Sequence, residues 1–390
     1  METGKPTIYL DHSATTPVRP EVIEAMLPWL REGYGNPGSV HRLGRAAHQA
    51  VDDARDQVAA LINAEPRDVV FTSGGTEADN LALRGVFAAS KGRRIIVSAV
   101  EHHAVLHTAE YLAKHEGADL KVAPVDGEGR VSPEAVEELL TGDTAIVSVM
   151  HANNETGTIQ PVREIGVLCR ERGVPFHSDA VQTVGKIPVD VTAMPLDLVA
   201  ISGHKIYGPK GIGAFYAKRG TDFEPQAVGG AQEMGRRAGT ENVSAIVGLG
   251  VACALAREEL AAEHSRLATL RDKLEQGIIE MVQNTRVHGS RDDRLPHIVN
   301  VGFDCVEGES VLLALDMEGV AVSTGSACTS GSLDPSHVLL AMGMDYETAQ
   351  SAVRFSLGRE NTEEDVRHVL DVLPAIIERL RAASPLTPQQ

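Results

Sequence analysis

From residue 68 onward one pattern recurs and leaves the chain few architectures: a short apolar run, a polar tip, then a helical stretch. Asp68-Val69-Val70-Phe71 leads into Thr72-Ser73-Gly74-Gly75-Thr76-Glu77, and Arg94-Ile95-Ile96-Val97 into Glu101-His102-His103. Ala145-Ile146-Val147-Ser148-Val149 leads into His151-Ala152-Asn153-Asn154-Glu155-Thr156-Gly157, and Val174-Pro175-Phe176-His177 into Asp179. The last unit is Leu198-Val199-Ala200-Ile201 followed by Ser202-Gly203-His204-Lys205. Strands alternating with helices predict an α/β domain around a largely parallel sheet. Ligands of such sheets collect beyond the carboxyl ends of the strands, where every one of these tips lies. Lys205 falls just past a strand, on a loop in which Gly208-Pro209 forbids a helix.

Ahead of the repeat, Ile8-Tyr9-Leu10 reads as a short strand. Val22, Ile23, Met26, Leu27 and Leu30 fall on one face of a helix, and Ala47 to Ile62 form a second amphipathic pattern. After the repeat, a long helical pattern from about Ser244 to Met281 separates two regions. Ile298-Val299-Asn300-Val301 and Ala321-Val322-Ser323 then read as strands. Val338 to Met342 and Val366 to Leu380 read as helices, the latter capped by Thr362. This tail is expected to be a smaller α+β domain, with Ser384 to Gln390 disordered.

The chain has 390 residues, 43% of them hydrophobic, enough for a proper core and for two or three domains. Its net charge of −18 is spread along the chain, which argues against nucleic acid or membrane surfaces as general partners. No apolar run approaches the ~18 residues of a membrane-spanning helix, and Met1 to Thr7 carry no signal-peptide core. Cys169, Cys253, Cys305 and Cys328 are widely spaced, with no Cys-x-x-Cys pair, which disfavours a zinc ribbon or a ferredoxin. Few cysteines and no signal predict a reducing, cytoplasmic setting.

Several tips carry chemistry, each with a plainer alternative. Gly74-Gly75-Thr76 offers amides and a hydroxyl to a phosphate, or is a glycine turn with Thr76 as the helix N-cap. His102 can stack on a planar cofactor and carry a proton, or is a surface histidine. A metal site with His103 is discounted for lack of a His-Glu-x-x-His spacing, and His103 and His107 are read as bystanders. Asn154 and Gln182 are amides for a ring oxygen or a substrate carboxylate, or caps of their loops. Asp179 is a partner for a protonated ring nitrogen, or an N-cap. Lys205 supplies an amine for an imine. An amine, a carboxylate and phosphate donors together match what pyridoxal phosphate needs. Cys328 lies in Ser323-Thr324-Gly325-Ser326-Ala327-Cys328-Thr329-Ser330-Gly331-Ser332, whose small polar residues predict a flexible, exposed loop with a reactive thiol. Cys169 and Cys253 sit in apolar helical patterns and read as inert, while Cys305 is undecided. Arg354 is a charge inside the apolar run Val353-Arg354-Phe355-Ser356-Leu357, either a carboxylate clamp or a structural ion pair.

Taken together, the chain closely resembles the cysteine desulfurases of the NifS/IscS type, within the class-V aminotransferase group. The stretches that carry this are Tyr9-Leu10-Asp11 with Ala14-Thr15-Thr16-Pro17, Gly35-Asn36-Pro37, Phe71 to Glu77, Glu101-His102, Asn153-Asn154-Glu155 and Asp179-Ala180-Val181-Gln182. Further along they are Ser202-Gly203-His204-Lys205, Arg237-Ala238-Gly239-Thr240-Glu241-Asn242, Gly325-Ser326-Ala327-Cys328-Thr329-Ser330 and Arg354-Phe355-Ser356-Leu357-Gly358-Arg359. The lysine motif and the cysteine loop are highly specific in combination.

The resemblance implies a fold-type-I pyridoxal-phosphate-dependent transferase. Its large domain, residues 15–262, would hold a mainly parallel seven-stranded sheet. A smaller α+β domain, residues 1–14 with 263–390, would carry a mobile Cys328 loop. It further implies a homodimer with its site at the subunit interface. Lys205 would hold the cofactor, His102 stack on its ring and move protons, and Asp179 face the ring nitrogen. Gln182 and Asn154 would contact the ring oxygen. Gly75, Thr76, Ser202, His204 and, from the other subunit, Thr240 would hold the phosphate. Asn36, Asn154 and Arg354 would hold the substrate. Sulfur taken from L-cysteine, which becomes L-alanine, would pass to Cys328 as a persulfide, and on to an iron–sulfur scaffold protein or another acceptor. No resident metal is implied, although Cys328 could transiently ligate a cluster on a partner. A related aminotransferase or selenocysteine lyase is the neighbouring reading, and a non-catalytic protein of the same fold the remoter one. The departures are His12, at a position that varies in the family, Thr324 where serine is common, and a C-terminal tail shorter than in some relatives, a segment that can help to dock the scaffold.

Overall fold

The structure, a computed structural model, describes residues 7–230, 232–324 and 334–384. The expectations for the Cys328 loop and for the extreme C-terminus lie outside the described residues. The short β1 (Ile8–Tyr9) precedes a seven-stranded sheet built from β2 (Val69–Thr72), β3 (Arg94–Ser98), β4 (Asp119–Ala123), β5 (Thr144–Ser148), β6 (Phe176–Asp179), β7 (Leu198–Ser202) and β8 (Gly213–Ala217). The order across the sheet is β2-β8-β7-β6-β5-β3-β4. Strands β4 through β7 run parallel by way of β3, and β8 is antiparallel to both β7 and β2. The α/β expectation therefore holds. Strands β2, β6 and β7 are buried along their whole length; β2 and β7 accordingly read as continuous apolar runs rather than alternating ones, whereas β6 buries the polar His177, Ser178 and Asp179.

Two strands of this sheet escaped the repeat. β4 is amphipathic at the sheet edge, and β8 follows the Lys205 loop directly. Gly211 takes a left-handed φ of +77° there, and the chain turns back on β7 with no α-helix between them.

Six helices lie before or between these strands: α1 (Pro20–Arg31), α2 (Arg42–Leu61), α3 (Gly75–Ala89), α4 (His103–Glu116), α5 (Pro133–Leu139) and α6 (Val162–Arg172). The long helix α7 (Val243–Met281) then joins two cores. Its first half packs Ile246, Leu249 and Cys253 with α2 and the large sheet, and its second half sends Leu267, Leu270, Leu274 and Ile278 into a separate apolar cluster. That second cluster belongs to β9 (Thr285–His288), β10 (Ile298–Phe303), β11 (Val320–Ala321) and β12 (Ala352–Ser356), with α8 (Gly308–Met317), α9 (His337–Ala341), α10 (Tyr346–Gln350) and α11 (Glu363–Ala383) nearby in the chain. β12-β10-β9 form an antiparallel sheet, and β11 pairs in parallel with β1, so the first strand of the chain completes the last region. Thr362 caps α11 as expected, in a full capping box with Asp365.

The small sheet has two unlike faces, as a period of two requires. Val299, Val301, Phe303, Val353 and Phe355 enter the apolar cluster. Asn300 and Arg354, paired in register, are buried on the opposite side, where Arg354 lines a cavity at the large sheet.

Candidate active site

The carboxyl ends of the parallel strands converge on a cavity of about 260 Å³. Gly75, Thr76, His102, Asn154, Asp179, Gln182, Ser202, His204, Lys205 and Arg354 all line it, although they come from distant parts of the sequence. Asn36 and Thr240 do not line it. Both are exposed on this single chain, and the Asn36 side chain accepts a hydrogen bond from the Gly38 amide at 2.9 Å.

Lys205 ends a single 3-10 turn, Gly203–Lys205, that follows β7, rather than lying on an irregular loop. Two anchors hold this turn. The His204 carbonyl accepts from the Thr16 amide at 2.9 Å, and Tyr207, left-handed at φ +63°, has its amide bonded to the Thr16 hydroxyl. A non-glycine residue in that region costs on the order of 1 kcal/mol or more, which the surrounding contacts must offset. The Lys205 ammonium donates to the carbonyls of Ser13 and, at 2.9 Å, Ala14. Gln182 donates to the same Ser13 carbonyl at 2.9 Å, so the turn after β1 is tied to both.

Asp179 closes β6, and its carboxylate accepts from the Val181 amide at 2.9 Å. Burial raises its affinity for a proton, and this bond and the Lys205 charge oppose that. α3 starts at the cavity because Gly75 packs against Val181: a Cβ there would come within 2.6 Å of a Val181 methyl. Gly74 occupies the N-cap, so Thr76 is not the cap that the plainer reading made it.

His102 caps α4, its Nδ1 accepting from the Ala104 amide at 3.1 Å, which puts the proton of the neutral ring on Nε2. Burial, helped by Lys205 and neighbouring histidines, pushes its pKa down to about 4. His103 stacks on His107 with ring centroids 4.5 Å apart. Among the described residues no three His, Cys, Asp or Glu side chains are arranged to hold a metal ion.

The loop after β5 is capped by Asn153, whose Oδ1 takes the amides of Glu155 and Thr156, and not by Asn154. Arg354 is 3% exposed. It donates to Asp11 at 2.7 Å and to the Asn154 carbonyl at 2.8 Å, while its Nε has no partner among the described residues. The structural ion pair is present, and the guanidinium still faces the cavity. Cys169 and Cys253 are buried, and burial pushes both thiols up to about 12, so they are inert as expected. Cys305 is half-buried, in a left-handed turn at φ +66°.

Five groups near the cavity had no role in the sequence reading: the Ser13 and Ala14 carbonyls, Asp11, and the buried pair Asp79 and Glu101. Asp79 could have been found from its place one helical turn after Gly75, on the face that α3 turns inward. The carbonyls left no side-chain signal at all.

An amine and a carboxylate face one cavity, next to a helix N-terminus and the hydroxyls of Thr76 and Ser202, and this donor set suits pyridoxal phosphate. A model of the class-V aminotransferases matches residues 8–369. The chain belongs to the NifS/IscS-type cysteine desulfurases of that family. It is 48% identical to the protein named cysteine desulfurase IscS of Methanosarcina thermophila, with 100% of this chain and 96% of that one covered. A solved NifS-like protein superposes with a TM-score of 0.90 at 38% identity, covering 96% of this chain and all of that one. A structure described as SspA in complex with cysteine superposes with a TM-score of 0.80 at 35% identity, over 90% of this chain and 99% of that one. The family works with pyridoxal phosphate. No helix among the described residues is long and apolar enough to cross a membrane.

Proposed function

We propose that this chain is a pyridoxal-phosphate-dependent cysteine desulfurase. The net reaction converts L-cysteine and the Cys328 thiol into L-alanine and a Cys328 persulfide: the substrate's C–S bond breaks, an S–S bond forms, and the freed carbon takes a proton. The observation that carries the reading is the opposition of the Lys205 amine and the Asp179 carboxylate in one cavity. When bound there, the cofactor supplies an electron sink for the substrate's α-carbon.

The same reading gives the remaining residues the following roles. Lys205 would supply the amine that holds the cofactor, and Asp179 would face its ring nitrogen. Gln182 and Asn154 would contact the ring oxygen, while Gly75, Thr76, Ser202 and His204 would hold the phosphate. His102 would stack on the ring and could move protons through Nε2, since Nδ1 is taken by the Ala104 amide. A neutral imidazole at physiological pH suits that task, since it can accept as well as donate. Arg354 holds the substrate carboxylate, with Asp11 and the Asn154 carbonyl fixing its plane.

The exposure of Asn36 and Thr240 fits a homodimer in which the partner subunit's Thr240 completes the phosphate site. Residues 15–262 then form the cofactor-holding body, and residues 1–14 with 263–390 the smaller one that carries Cys328. The sulfur passes to an iron–sulfur scaffold protein or another acceptor in the cytoplasm.

The test is a visible spectrum of the purified protein with pyridoxal phosphate, before and after L-cysteine, with alanine and sulfide quantified. Cys328→Ala is expected to keep the cofactor colour and lose sulfide release. Undiminished release from that variant overturns the assignment of Cys328.

A further inference from the structure

Beneath Asp179 lies a line of buried polar groups that the roles above do not use. Asp79, on α3, is 1% exposed and lines the cavity. Its Oδ1 is 3.5 Å from Nε2 of His177, and neither atom has a hydrogen-bond partner among the described residues. On the far side of the ring, His177 Nδ1 lies 2.8 Å from the Ser148 hydroxyl. His177 and Ser148 have no exposed surface. His177 and Asp179 are two apart on β6 and so share one face of the strand. The groups that bear on Asp79 are therefore His177 and Asp179 from β6 and Glu101 from the turn after β3, with Lys205 facing Asp179 from beyond β7.

Three buried carboxyl groups, Asp79, Asp179 and Glu101, so close together disfavour ionisation of all three, because each buried charge opposes the next. Burial, reinforced by Asp179 and Glu101, holds the Asp79 carboxyl well above the ordinary range, and burial also pushes His177 down to about 3. Oδ1 and Nε2 face each other across 3.5 Å with no other partner for either among the described residues, so a proton on the carboxyl has the imidazole nitrogen as its nearest acceptor.

We propose that Asp79 is a positioning residue that keeps a proton and hands its hydrogen bond to His177, leaving Asp179 as the single carboxylate offered to the cofactor's ring nitrogen. Asp79 acts on the ring only through Asp179. The inference rests on the reading that pyridoxal phosphate binds in this cavity.

The carboxyl itself can be observed. Infrared spectra of the full chain carrying ¹³C-labelled aspartate, recorded at neutral pH with and without pyridoxal phosphate, are expected to contain the C=O stretch of one protonated aspartyl group. Asp79→Asn should remove that band. The same variant should leave the ¹⁵N shift of the bound ring nitrogen unchanged and cofactor affinity within about threefold of the parent. A merely structural, ionised Asp79 gives no such band. A spectrum with every aspartate ionised overturns the proposal, whether or not the variant folds. So does a ring-nitrogen shift that moves in Asp79→Asn. Failure of pyridoxal phosphate to bind defeats the reading of the cavity instead, and the band in the cofactor-free protein then decides the protonation of Asp79 separately.

Discussion

At the carboxyl edge of the large sheet, Asp79, Glu101, His151, His177 and Asp179 are all buried. On the helix-facing side of the small sheet the buried groups are Val299, Val301, Phe303, Val353, Phe355 and Leu357, packed on Leu373, Ile376 and Ile377 of α11. Both regions exclude water, with opposite consequences. Hydrocarbon gains about 25 cal/mol per Å² on leaving water, whereas an ionisable group loses hydration that only an excellent partner restores. The molecule thus concentrates costly burial where the chemistry is, and rests that burial on a neighbouring core that is purely stabilising. Several groups at the polar edge escape the cost by giving up their charge: burial pushes His102, His151 and His204 down to about 4 and His177 to about 3, and pushes Glu101 up to about 8.

This contrast can be broken from either side. The largest effect on function is expected from Lys205→Ala, which should abolish both the imine absorbance and sulfide release. Substantial turnover by that variant would mean that the polar edge serves something other than the proposed reaction. On the apolar side, Phe355→Ala removes a ring with no exposed surface and should cost about 3–5 kcal/mol in denaturant unfolding. A loss below about 1 kcal/mol would show that the small core collapses around the gap and supports little.

Acid separates the two regions further. The unfolded chain protonates its histidines as pH falls through 6.5, while the folded one resists until about 4 for His102, His151 and His204. With respect to these histidines the fold keeps its full stability above pH 6.5 and loses it as pH falls from 6.5 towards 4, least for the partly exposed His204. Glu101 has the opposite sign. Folded, it keeps a proton up to about pH 8 that the unfolded chain releases near 4.5, so its share of stability falls as pH rises through that window. Denaturant midpoints across pH should drop on the acid side, and Glu101→Gln should flatten the decline between 4.5 and 8. A variant curve that parallels the parent's would show Glu101 to be ionised when folded. The smallest effect belongs to the exposed start of α11: Thr362→Ala should cost about 1 kcal/mol through the lost cap, read as a melting shift with activity intact.

Much of the fold was legible because buried parallel strands leave continuous apolar runs with polar tips. β8 and β4 were not, since one enters through a tight turn instead of a helix and the other is an amphipathic edge strand. In the site, Lys205, Asp179 and His102 could be read because each ends a strand unit. Asp11 could not be read as the partner of Arg354, because 343 residues separate them and no spacing rule spans that distance. Nor could the Ser13 and Ala14 carbonyls that receive Lys205, since a main-chain acceptor looks the same beside every side chain.

By itself the sequence determined the α/β repeat, the Thr362 cap of α11, the two regions joined by one long helix, and the residue types that a pyridoxal phosphate site requires. These are local properties, set by periodicity and by the side chains near each strand end. Only the tertiary structure decided which polar groups face one another: Arg354 with Asp11, His177 with Asp79, Lys205 with two carbonyls. The reason is physical. Electrostatics depends on distance and on the exclusion of water, and the chain acquires both only when remote segments pack.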